Sequence, residues 1–363
     1  MKVVAAIDSF KGSMTSMEAG NAVKKGILAA KPDAEVVVNP LADGGEGTVD
    51  ALIEGLGAKK IPVTVTGPLG EKVSCYYGFL EETKSAVMEM ASAAGITLVT
   101  KKDPLRASTY GVGEMIADAL KRGCKNFMIG IGGSATNDGG IGMLKALGFE
   151  FFDEDGNDVG EGAAALVKIE VIRTENKNPL LSGAKFQIAC DVKNPLCGKQ
   201  GATYIFGPQK GVTEEQKEQV DEAMRHYADV TKESLDCDFA DCEGAGAAGG
   251  LGYAFLSYLA GELIPGVELI LQATGLEEKM KNADVVVTGE GRLDAQTVMG
   301  KAPAGVAALA KKYNAKVIAF AGSVAPEAKV CNRAGIDAFF PIVRGVTTLE
   351  EAIIKETATT IKN

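Results

Sequence analysis

One histidine stands in the whole 363-residue chain, and that scarcity narrows the chemistry first. His226 lies in the charged stretch 214–232, whose Lys, Glu and Asp content predicts a solvated helix face. Hydrolysis by a Ser-His-Asp triad needs an imidazole base, so a general base in this chain is expected to be Asp, Glu or Lys. Positive charge is also short. The 38 Lys and Arg face 48 Asp and Glu, a net charge of −10, and no basic run offsets it. That balance argues against a nucleic-acid or membrane surface. Anionic substrates stay open, because local cations and backbone N–H groups hold them. No stretch approaches the roughly 20 apolar residues of a membrane span. The start, MKVVAAIDSFKGS, has too short an apolar run for a secretory signal, so a cytoplasmic location is expected. Seven cysteines (Cys75, Cys124, Cys190, Cys197, Cys237, Cys242, Cys331) form no C-x-x-C pair. Their odd count and scattered spacing predict free thiols, neither a disulfide framework nor a zinc site. Also missing are the P-loop G-x-x-x-x-G-K-[ST], the protein-kinase HRD and DFG strings, internal repeats and a Pro/Ser-rich linker.

What remains is ordinary for a soluble globular protein, 46% apolar and 24% charged, with a length that suits two domains. The chain begins βαβα: a buried strand at 2–7, a helix opened by the capping box Thr15-x-x-Glu18, a strand at 35–38 and a helix over 48–56. From Ile61 the period changes to two. Val63 and Val65, the turn at 67–70, then Val73, Cys75, Tyr77 and Phe79 predict a hairpin. A second hairpin is expected over 149–159 around Asp155-Gly156, and the apolar, glycine-containing helix at 247–259 should pack in an interior. From Ala283 the βα rhythm returns and ends in a helix from Leu349. The expected architecture is α/β. A Rossmann-like parallel-sheet domain would be built from both chain ends (1–66 plus 282–363), with an inserted α+β domain at 67–281. The active site would lie in the cleft between them.

The candidate chemistry sits where strands stop. The stretch 285–301, VVVTGEGRLDAQTVMGK, ends an apolar strand in glycines and acids ahead of a helix opened by Pro303. Open α/β sheets bind ligands at such junctions. Similar loops occur at 8–13, 40–48, 131–140 and 189–195, carrying Asp8, Asp43, Glu46, Asp138 and Asp191 beside Glu290 and Asp294. A single acid there is an ordinary cap or turn former. Five junctions of one chemical style call for a shared cause. Glycines let backbone approach phosphate, carboxylates hold Mg²⁺ through oxygen, and Lys11, Arg292 and Lys301 supply positive charge, an inventory suited to phosphoryl transfer. Two dinucleotide-like patterns compete. Gly130-Ile-Gly132-Gly-Ser-Ala135 follows a strand, with Glu150 about 20 residues on, and would make the chain an NAD-dependent oxidoreductase of a small hydroxy acid. Gly244-Ala-Gly246-Ala-Ala-Gly249 follows no strand and is expected to be a helix entry with close backbone packing.

The strings AIDSFKGS, PLADGGEGT, IGGSATNDGG, ACDVKNPL and TGEGRLDAQTVMGK together resemble the type 1 glycerate kinase family, in family order and from Met1 to about Ile361. The resemblance implies ATP-dependent phosphorylation of D-glycerate, with Mg²⁺, 2-phosphoglycerate favoured over the 3-phospho product, no nucleic-acid or membrane partner, and a monomer or homodimer. It implies Asp191 as general base, with Asp8, Lys11 and Arg292 also catalytic. Ser9, Gly44, Gly45, Gly133, Ser134, Asn137, Asp138, Asn194, Gly289, Glu290 and Lys301 would bind substrate or nucleotide. Asp43, Glu46 and Asp294 would ligate metal.

Overall fold

In the computed structural model the chain opens with β1 (Lys2–Ala5), α1 (Ser16–Ala30), β2 (Glu35–Val38) and α2 (Thr48–Leu56). Residues 1–10, 12–42, 48–343, 345, 347–348 and 350–352 are described. The expected capping box forms at α1, where Thr15 accepts from the Glu18 N–H and the Glu18 side chain accepts from the Thr15 N–H. The last expected helix, from Leu349, lies outside the described residues apart from 350–352.

The middle of the chain supplies β3 (Lys59–Thr66), β4 (Lys72–Leu80), β5 (Ser85–Glu89), α3 (Ala91–Ala94), α4 (Tyr110–Lys121), β6 (Asn126–Gly130) and α5 (Ile141–Ala146). It continues with β7 (Glu150–Phe152), α6 (Ala163–Leu166), β8 (Val171–Arg173), β9 (Lys185–Ala189), α7 (Ala202–Lys210), α8 (Lys217–Leu235), α9 (Ala247–Leu259) and β10 (Glu262–Ile264). The chain closes with α10 (Gly266–Ala273), α11 (Leu276–Met280), β11 (Val285–Leu293), α12 (Ala302–Lys312), β12 (Lys316–Val324), α13 (Val330–Arg333) and β13 (Ala338–Pro341).

Contacts divide these elements into two units, Met1–Ala58 with Val267–Asn363, and Lys59–Gly266. The first unit holds a five-stranded sheet of order β13-β12-β11-β1-β2, every pair parallel. Strands from both chain ends therefore share one sheet, with β1 between β2 and β11. Val3, Val4 and Ala5 are all buried, as a central parallel strand covered on both faces requires. Chain order runs outward from β1 to β2 and, in the other direction, from β11 to β12 and β13. The β1/β11 crevice is thus the switch point where such sheets take ligands.

The second unit is built on a six-stranded mixed sheet, β10-β9-β6-β5-β4-β3. β3 and β4 form the expected antiparallel hairpin, and β4 also runs antiparallel to β5. The other pairs are parallel, so β3, β5, β6, β9 and β10 end at one edge. Phe127, Ile129, Phe186 and Ile188 from the sheet pack with Leu144, Leu251 and Phe255 from helices in its core. The expected 149–159 hairpin forms but is short. Its turn makes one bridge, Phe152 to Asp158, while β7 pairs along its length with the distant β8. α8 is also less solvated than its charge suggests. Val220, Met224 and Tyr227 are buried, and His226 Nε2 lies 2.8 Å from the Ile169 carbonyl oxygen. All seven cysteines are free thiols.

Candidate active site

At the β1/β11 crevice the chain continues beside β11 past the regular end of β1. The Asp8 N–H donates to the Gly289 carbonyl at 2.9 Å, and Asp8 itself is buried, with one carboxylate oxygen accepting the Ser9 N–H at 2.6 Å. Ser16 ties this end to the next strand, donating to Ile7 O while accepting the Leu41 N–H. Gly289 is needed for its small size: a Cβ there would stand 2.3 Å from Phe320 O and 3.3 Å from an Ile7 methyl. β11 runs four residues further than a strand stopping in glycines would, pairing with β12 as far as Leu293↔Val324. Glu290 and Arg292 are therefore carried on a paired strand rather than on a loop.

Glu290 is the electrostatic centre of this edge. It is 7% exposed, accepts the Thr297 hydroxyl at 2.6 Å, and lies 3.5 Å from Lys301 Nζ. Burial pushes its carboxyl upward, against the Thr297 hydrogen bond and the Lys301 charge. Lys301 caps α12, with Pro303 in the first turn. Arg292 is mostly exposed, with Nε 3.5 Å from Asp294, and Asp294 caps the short turn at 295–298 by accepting the Gln296 N–H. One strand end thus gathers Asp8, Ser9, Gly289, Glu290, Arg292, Asp294 and Lys301. Lys11, Asp43, Gly44, Gly45 and Glu46 lie outside the described residues. Among the described residues no group of three or more His, Cys, Asp or Glu could hold a metal ion. Mg²⁺ commonly takes only one or two protein carboxylates beside phosphate oxygens, and the part-exposed Asp294 carboxylate is a donor of that kind.

In the second unit Asp191 follows β9 and is exposed, with one oxygen held by the Gly266 N–H at 2.9 Å. Asn194 donates to Gln200 O, and its own carbonyl accepts the Gly246 N–H. Gly133, with φ +74, is exposed at the turn after β6, and Ser134 is buried beside it. Asn137 and Asp138 are expected to face substrate, yet both are wholly buried. Asp138 accepts from the Thr109 N–H and hydroxyl (both 2.8 Å), the Gly140 N–H (3.1 Å) and the Gly142 N–H (3.3 Å). Asn137 donates to Thr203. These two side chains hold the loop from behind.

Behind the same loop lies a lysine that no local pattern announces. Lys210 is buried at the end of α7 and donates to Thr136 O at 2.6 Å. Burial pushes its amine down to about 7, with the nearby Asp138 charge opposing. From about pH 7 to its usual 10.5, the unfolded chain keeps a proton the folded chain has released, so folding stability should rise with pH across that window. Lys210→Met is expected to flatten that rise, measurable as urea midpoints at pH 7 and pH 9.

Neither dinucleotide-like pattern has the required setting. The fingerprint places its glycines directly at a helix start, but α5 begins eleven residues after β6 ends. The 244–249 pattern is the tight helix entry expected from its context. A Cβ on Gly246 would stand 2.2 Å from Pro195 O, and one on Gly249 2.1 Å from Thr136 O.

Comparison with known proteins identifies the family. The model of the glycerate kinase family matches residues 3–363. The glycerate kinase of Bacillus subtilis (strain 168) is 45% identical over 97% of this chain and 93% of its own length. The glycerate 2-kinase of Escherichia coli (strain K12) is 46% identical over the same shares. A crystal structure from Salmonella typhimurium LT2 matches with a TM-score of 0.92 at 43% identity, covering 99% of this chain and 95% of that one. With a family match over nearly its whole length and acid- and glycine-lined strand ends in both units, the chain belongs to the glycerate kinase family and is a phosphotransferase.

Proposed function

We propose that the chain transfers the γ-phosphoryl group of ATP to D-glycerate, giving ADP and phosphoglycerate, with the 2-hydroxyl as the preferred acceptor. The observation that carries this is near-full-length identity of 45% and 46% to enzymes named glycerate kinase and glycerate 2-kinase. In the transfer, the acceptor oxygen bonds to the γ-phosphorus, the bond from that phosphorus to the β–γ bridging oxygen breaks, and the hydroxyl proton passes to a base. Asp191 is proposed as that base, its orientation fixed by the Gly266 N–H. Lys11, Arg292 and Lys301 neutralise phosphate charge, Ser9, Gly44, Gly45 and Gly289 line the anionic groups, Asp8 stands beside them, and Glu290 binds through its hold on Lys301. Gly133, Ser134 and Asn194 bind through their loops, while Asn137 and Asp138 act by holding theirs. Asp294, with Asp43 and Glu46, would hold Mg²⁺, which when bound screens the polyphosphate charge.

Incubation with ATP, Mg²⁺ and a panel of glycerate, lactate and tartronate tests this, with phosphorus NMR of the product. A phosphomonoester coupled to a single carbon-bound proton is expected from glycerate. Coupling to two such protons would move the acceptor to the 3-hydroxyl, and no phosphorylated acid would overturn the assignment.

A further inference from the structure

The second unit contains a cavity that none of the roles above uses. It measures 460 Å³ and is walled by Thr66 and the β3–β4 turn at 67–70, by Arg106, Ser108 and Tyr110, and by Glu161. The end of β3 opens onto it, so it lies at the same sheet edge as the loops after β6 and β9. Its walls are fixed. Pro68 O accepts the Ser108 N–H at 2.9 Å, and a Cβ on Gly111 would stand 2.1 Å from Thr66 O, so the start of α4 lies directly against the end of β3. Asp138 clamps Thr109 from behind through two hydrogen bonds.

The charges of this cavity are unequal in their partners. Glu161 accepts the Ser108 hydroxyl and lies 3.3 Å from Lys145 Nζ. Arg106 is exposed, and its guanidinium makes no ion pair or hydrogen bond among the described residues. A pre-formed concavity with one uncommitted cation suits an anionic ligand.

Two magnitudes decide which anion. A three-carbon acid displaces only a few waters, each with a share of about 30 Å³, and would leave most of the space unfilled. Between β3 and β9 lie β4, β5 and β6, four strand spacings or roughly 19 Å. That separation exceeds the reach of a three-carbon acid engaged with Asp191, whereas an extended nucleoside triphosphate is of comparable length. Pro68, Leu69 and Tyr110 add the apolar surface that a flat base needs.

We propose that this pocket seats the nucleoside end of the phosphoryl donor. The base lies against Pro68, Leu69 and Tyr110, one ribose hydroxyl donates to Glu161, and Arg106 pairs with the nearer phosphates. The assignment rests on the kinase function proposed above. Arg106→Gln removes only an exposed charge, and Leu69→Trp fills the pocket by bulk. Each variant is titrated with mant-ADP without acceptor, then assayed with ATP and D-glycerate varied separately. Arg106→Gln is expected to weaken mant-ADP and raise the KM for ATP by about tenfold or more, as loss of a charge-assisted contact should, with the KM for glycerate within about twofold. Leu69→Trp should weaken mant-ADP as well. Wild-type mant-ADP affinity in both variants, or a rise confined to the KM for glycerate, overturns the proposal. Weakened mant-ADP binding in a protein whose wild type phosphorylates no glycerate upholds the pocket and removes the acceptor instead.

Discussion

Asp191→Asn is expected to lower turnover by about 10²–10³, the usual contribution of a positioned base, while the affinity for ATP stays within about twofold. Asparagine keeps the size of the side chain, and its amide oxygen can still accept the Gly266 N–H that Asp191 holds at 2.9 Å. What is lost is the capacity to take a proton. Steady-state kinetics with a nucleotide-binding titration separates the two effects. Near-normal turnover would move the base to Asp8 or Asp294.

Asp138→Ala should cost about 3–5 kcal/mol of folding stability, read as a lower urea midpoint at pH 7. The carboxylate satisfies three backbone N–H groups and one hydroxyl in a place with no solvent access. Alanine leaves those donors without their acceptor. It also removes the negative charge that holds the Lys210 amine up against its burial. Because Asp138 fixes Thr109, and Thr109 adjoins Ser108 in the wall of the 460 Å³ cavity, any variant that still folds should also bind mant-ADP more weakly.

The alternation of the β3–β4 hairpin, the Thr15 capping box and the βα rhythm at both chain ends were legible because each is a local pattern with its own period or cap. The length of β11 was not. Gly289, Glu290 and Gly291 are poor strand formers taken alone, and pairing with β12 overrides them. The partner of β7 was equally hidden, since an Asp-Gly turn suggests a hairpin while the longer pairing is made with a strand some 20 residues on. Of the candidate site, the glycines and acids at strand ends stood out by composition. Lys210 and Arg106 did not: one is buried and the other lines a cavity only through tertiary packing, and a lysine or arginine in a polar stretch carries no signature of either fate. The inward aim of Asn137 and Asp138 is likewise decided by Thr109 and Thr203, which are far away in sequence.

The position of β1 between β2 and β11 has a consequence for biosynthesis. At about 5–20 residues per second a ribosome needs roughly 15–60 s to extend from the first strand to Val285. For that interval the nascent β1–α1–β2 segment carries an apolar strand whose second neighbour has not yet been made. Slower elongation or early termination within the inserted unit should therefore favour aggregation of the amino-terminal segment, while the inserted unit, which is continuous in sequence, is free to fold as it emerges.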